Sequence, residues 1–205
     1  MQSGLKRMWV WAGVLLAALA PAARGASAGA WKTYENCTLV TAEYYDGDSF
    51  HARHGRRQEI FRLYFVDAPE TDTSLDERID EQAEYWDLPR SRVMAIGEQA
   101  KVFAAEFLKR GFTVETRRAD ARGNSDQPRY FAFVRAGEDD MGLALVGAGL
   151  ARLYGLTTDL PDGTPAEKYR AQLRSAERRA QREKRGAWAG PRGRDKAAAN
   201  EIREQ

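Results

Sequence analysis

Four acids and one arginine carry the chemistry that this chain is equipped to do. Asp46 and Asp48 stand two apart in DGDSF (46–50), and Asp67 and Glu70 three apart in VDAPE (66–70). Between them the apolar run FRLYFV (61–66) carries a single charge, Arg62. A buried charge without a partner is too costly for such a strand to keep. Arg62 therefore calls for an anion, and the crowded carboxylates call for a cation. A divalent metal holding a phosphate meets both demands, which points to phosphodiester chemistry. Carboxylate oxygens, a backbone carbonyl and water suit a hard ion, Ca²⁺ or Mg²⁺. His51 and His54, three apart on one strand, face opposite ways and do not form a zinc pair. Plainer readings stand beside these: Asp46 and Asp48 are residues that turns favour, Arg62 suits a structural ion pair, and Glu70 suits solvated surface.

The elements that must position these groups follow from periodicity. CTLVTAEYY (37–45), SFHARH (49–54) and QEIFRLYFV (58–66) read as three strands joined by turns at Asp46-Gly47 and Gly55, a meander that brings the two acidic ends together. Alternation puts Arg62 and Asp67 on opposite faces, so both reach one site only if the strand breaks between Tyr64 and Asp67. Residues 71–96 form an acidic insertion with a short helix over 75–86, ended near Pro89. Its Asp72, Asp76, Glu77, Asp80, Glu81 and Glu84 would repel a polyanion near the site, and lid, specificity element and packing partner all remain open for it. Gly97 to Lys109 shows a helical stripe of Ala100, Phe103, Ala104, Phe107 and Leu108. FTVET (112–116) and RYFAFVRA (129–136) are two further strands. A helix from Met141 to about Leu150 is capped by Asp139 or Asp140. Thr164-Pro165-Ala166-Glu167 reads as a capping box with proline at the first helical position, opening a helix that buries Tyr169, Leu173, Ala176 and Ala180. The order βββ-α-ββ-α-α, with the insertion after strand 3, predicts an α+β protein built on the five-stranded OB-fold barrel.

Composition bounds the rest. Lys6 and Arg7, the apolar run 8–20 and the small residues ending at Ala26 and Ala28 have the form of an export signal over 1–28, too short to span a bilayer. Export to the periplasm or the medium follows, with no stable membrane association after cleavage. Without that segment 29 basic residues face 30 acidic ones, so bulk charge gives no reason to bind nucleic acid and a local patch must. One cysteine, Cys37, excludes an internal disulfide framework. Residues 189–205 have no apolar period and read as a disordered tail after a domain over 37–188.

DGDSF (46–50), FRLYFVDAPE (61–70), GEQA (97–100), RYFAFV (129–134), LVGAGLARLY (145–154) and the closing Leu173-x-x-x-Glu177…Gly186-Ala187-Trp188 occur in an order that resembles the staphylococcal nuclease (thermonuclease-like) family. The resemblance implies a calcium-dependent nuclease acting on DNA or RNA with little sequence specificity, leaving 3′-phosphate ends, and a monomer. It implies that Asp48 and Asp67 ligate calcium with the Ala68 carbonyl, that Asp46 is their acidic neighbour, and that Mg²⁺ is the weaker candidate. It implies that Glu70 positions or deprotonates the attacking water, that Arg62 and Arg129 bind the phosphate, and that Tyr154 stacks on substrate, with a core or hinge role equally open to that tyrosine. The family's D-x-x-G-R approach to Arg129 is replaced by Asp126-Gln127-Pro128. Two other readings of the same residues remain: a non-catalytic OB-type module that binds nucleic acid or protein, and a phosphodiesterase for a non-nucleic substrate.

Overall fold

A computed structural model describes residues 29–41, 46–123 and 126–190; the expected export segment, residues 42–45 of the first predicted strand and residues 191–205 of the predicted tail lie outside them. Five long strands carry the fold: β1 (Lys32–Val40), β2 (Ser49–His54), β3 (Arg57–Leu63), β5 (Phe112–Thr116) and β6 (Arg129–Ala136). Two-residue strands β4 (Val66–Asp67), β7 (Asp139–Asp140) and β8 (Arg152–Leu153) complete the set. The sheet runs β3-β2-β1-β5-β6-β7, and β3 also pairs with β6 in parallel, so the pairings of the five long strands return on themselves. This is the predicted α+β, OB-like arrangement. Phe50, Phe61, Phe112, Phe133 and Val114 fill the interior.

β1 is displaced from its predicted span, starting at Lys32 rather than Cys37. Its polar first half hides the pattern, because a bulge near Asn36 (φ 52°) lets Lys32–Tyr34 pair with β5 while Thr38–Val40 pair with β2. β2, β5 and β6 have the predicted bounds.

Among the described residues four helices pack on the strands: α1 (Asp76–Trp86), α2 (Arg90–Leu108), α3 (Met141–Gly147) and α4 (Ala166–Arg182). α2 begins seven residues before the predicted Gly97, since Val93 and Ile96 continue its buried stripe up to Pro89 at the N-cap. α3 is capped by the Asp140 carboxylate, which accepts from the Leu143 N–H at 2.8 Å, and stops at Gly147. The predicted capping box of α4 does not form: Pro165 takes the N-cap, and Asp159 from the preceding loop accepts the Ala166 N–H at 2.9 Å. The predicted buried face, Tyr169, Leu173, Ala176 and Ala180, is as expected. Among the described residues no helix is long and apolar enough to cross a membrane.

Candidate active site

The break that alternation demands lies between Leu63 and Val66. Tyr64 still donates its N–H to the Ala132 carbonyl, but Phe65 turns to φ 67°, a conformation a phenylalanine adopts only where its surroundings impose it. Those surroundings are backbone bonds from the Phe65 N–H to the Leu156 carbonyl (3.0 Å) and from the Tyr154 N–H to the Phe65 carbonyl (2.8 Å). Beyond the turn the chain leaves the barrel and pairs with β8, setting Asp67 opposite Arg152. Arg62 and Asp67 thereby reach one point, where Arg62 Nη2 donates to Asp67 Oδ1 (2.8 Å) and to Asp48 Oδ2 (2.9 Å).

The DGD turn is brought in by the β2–β3 ladder, which places Ser49 opposite Arg62, and by the Leu63 N–H donating to the Asp48 carbonyl (2.9 Å). Close approach requires two glycines here. A Cβ on Gly47 would lie 2.6 Å from that of Ala100 and 2.9 Å from that of Ala68. One on Gly97 would lie 2.7 Å from the carbonyl oxygens of both Pro69 and Glu70. α2 thus presses the two acidic segments together through Gly97 and Ala100, which is what the GEQA motif accomplishes structurally.

Asp67 is the centre of the network. Its Oδ1 accepts from Arg62 and from Arg78 Nη2 (2.5 Å), and its Oδ2 from Arg152 Nε (2.8 Å) and Gln82 Nε2 (3.1 Å). Gln82 Nε2 also donates to the Ala68 carbonyl (3.1 Å), and the Glu70 N–H donates to Gln82 Oε1 (3.0 Å). Arg78 Nε holds Glu70 Oε1 at 2.6 Å. Arg78, Gln82 and Arg152 were not among the residues singled out from sequence. The signal for Gln82 was present: it falls in the stripe Ile79–Gln82–Ala83–Trp86, the sole polar member of the buried face of α1.

The insertion therefore does not turn a repelling face to the site. α1 presents Arg78 and Gln82 to it, while Asp76 and Asp80 pair with Arg90 and Glu81 pairs with Arg152. Trp86 is buried beneath the helix and Tyr85 donates to Glu177 of α4, so the insertion is a packing partner that also supplies site residues.

A cleft of about 580 Å³ opens above this network, within the size range of ligand sites. Asp46, Arg62, Glu70, Arg78, Arg129 and Tyr154 line it. Asp48, Asp67 and Ala68 do not; they lie buried at 1%, 0% and 3% exposure. Despite the altered approach loop, Arg129 faces the cleft, its Nε bound to the Ala121 carbonyl (2.9 Å) and its Nη1 to Ser49 Oγ (3.4 Å). Tyr154 is half exposed with the Arg152 guanidinium 4.5 Å above its ring, so it is no core residue.

Electrostatics divides the acids. Burial raises Asp46, and burial pushes Asp48 up to about 7 against the pull of Arg62. Burial also raises Glu70, offset in part by Arg78. Asp67 is buried too, but Arg78, Arg62 and Arg152 outweigh the desolvation and hold it below the usual carboxylate range. Among the described residues no three Asp, Glu, His or Cys side chains converge as a metal cage. The oxygens fit a hard cation on one side only. Asp46 Oδ1 is buried without a hydrogen-bond partner and Asp48 Oδ1 accepts the Ser49 hydroxyl at a long 3.2 Å, whereas Asp67 and the Ala68 carbonyl are engaged by α1 and β8.

An OB-like fold with a cleft lined by arginines beside paired carboxylates defines a class of protein equipped to meet an anionic ligand. The model of the staphylococcal nuclease homologue family matches residues 60–190, well over half of the chain, and the chain belongs to that family. The match takes in Arg62, Asp67, Ala68, Glu70, Arg129 and Tyr154 and begins after Asp46 and Asp48. Comparison with curated proteins gave no significant match. Domains of this family are commonly nucleases, and the family points to nuclease or nucleic-acid-binding function.

Proposed function

We propose that the chain is an exported, calcium-dependent nuclease that hydrolyses DNA and RNA phosphodiesters with low sequence specificity, leaves 3′-phosphate ends and works as a monomer. The observation that supports this reading most is the placement of Arg62 and Glu70, from the two ends of FRLYFVDAPE, and Arg129, from a distant strand, around one cleft. Arg62 and Arg129 are placed to hold the phosphate and to meet the charge it gains in the transition state. Glu70, with its carboxyl raised above the ordinary value by burial, accepts the proton of the attacking water. Tyr154 offers a half-exposed ring for a base to stack on. Ca²⁺ held by Asp46 and Asp48, whose raised carboxyls call for a counter-charge, would supply Lewis-acid charge near the phosphate.

The test is digestion of plasmid DNA by the purified protein with CaCl₂, with and without a chelator. Cleavage that the chelator stops is expected. DNA bound and left intact would favour the binding-module reading, and cleavage confined to small phosphodiesters would favour a non-nucleic substrate.

A further inference from the structure

The Asp67 carboxylate has about four acceptor positions, as any ionised carboxylate does. All are taken: Arg62 and Arg78 on Oδ1, Arg152 and Gln82 on Oδ2. Gln82 also engages the Ala68 carbonyl. A hard cation bonds oxygen at roughly 2.3 to 2.6 Å and tolerates no guanidinium in the same position. It can enlist Asp67 only by displacing one of these donors. Arg152 is anchored, its side chain 5% exposed and paired in register with Asp67. Gln82 is fully buried. Arg78 is the most exposed of the four donors: its side chain is 30% exposed against 17% for Arg62, which Asp48 also holds, and it hangs from the inserted helix α1 rather than from a strand of the sheet.

We infer that Arg78 competes with the divalent cation for Asp67, so that the inserted helix sets the cation affinity of the site. This rests on the cation site of the proposed nuclease, but it is read without substrate. Calorimetric titration of the purified protein with CaCl₂, in the wild type and in Arg78→Ala, tests it directly. Asp67 keeps Arg62, Arg152 and Gln82 in the variant, while the buried Glu70 carboxylate loses its bond to Arg78, so the Asp67→Asn control below separates an ion at Asp67 from one drawn by Glu70. Removing one positive charge a few ångströms from the ion is expected to tighten binding about tenfold or more. Arg78→Gln, uncharged but still able to donate, is the second variant and should tighten it in the same direction. Adding Asp67→Asn to Arg78→Ala should abolish the gain, which places the ion at Asp67. Unchanged or weaker binding in both Arg78 variants, or a gain that survives Asp67→Asn, overturns the inference. Tighter binding in a protein that leaves DNA uncut would sustain the inference and count against the nuclease reading alone.

Discussion

Asp48 and Asp67 bond to the same guanidinium nitrogen and are buried to the same degree, yet they are opposite electrostatic cases. Asp67 collects three arginines and a glutamine and sits below the usual carboxylate range; Asp48 has one arginine, two acidic neighbours and a carboxyl pushed up to about 7. Burial alone therefore does not set the charge of a site acid: it raises both carboxyls, and the number of fixed donors decides whether that rise is outweighed. The Asp67 side behaves as a completed ion-pair network, and the Asp46–Asp48 side as one that still lacks positive charge.

The largest effect expected from this contrast is on stability. Asp67→Ala should destabilise the protein by about 3 to 5 kcal/mol in denaturant unfolding, because Arg62, Arg78 and Arg152 all lose a charge partner at once and the buried Arg152 keeps only the longer pair to Glu81 (3.4 Å). Asp48→Asn should change stability by only about 1 kcal/mol or less at neutral pH, since Arg62 keeps Asp67 and an unwelcome charge is removed. Equal losses in the two variants would break the contrast.

The contrast is sharpened by pH. The Asp48 carboxyl in the folded state holds its proton between its ordinary 3.8 and about 7, where the unfolded chain has released it. Stability from this group is thus complete below the unfolded value and lost as pH rises through about 7. Asp67, lowered, works the other way: its contribution is present above the ordinary carboxylate value and lost as pH falls through its folded one. Unfolding free energy measured across pH 4 to 8 without divalent ions should therefore fall less steeply in Asp48→Asn than in the wild type. A parallel pair of curves would contradict the assignment. Smallest of all, Tyr154→Ala should raise KM for oligonucleotides about fivefold, the low end of base–aromatic stacking, with kcat little changed. Steady-state kinetics decide that.

Much of this was legible in the chain. β2, β5 and β6 are bounded by glycine or proline, β5 alternates and β6 is rich in aromatic residues, so their spans could be read directly. The break before Asp67 was legible because five residues cannot put Arg62 and Asp67 on one face of a regular strand. β8 was not, since two residues carry no period, and with it went the partnership of Arg152 and Asp67. Arg78 was hidden for another reason. Seven acids dominate the composition of the insertion, and only the helical phase reveals that its site-facing side carries Arg78 and Gln82.

The most direct measurement is the rate of cleavage of a labelled single-stranded DNA in CaCl₂ by Glu70→Gln beside the wild type, with folding of both checked by circular dichroism. Loss of the base should slow cleavage about a hundredfold or more. A Glu70→Gln protein that cuts as fast as the wild type would contradict the account.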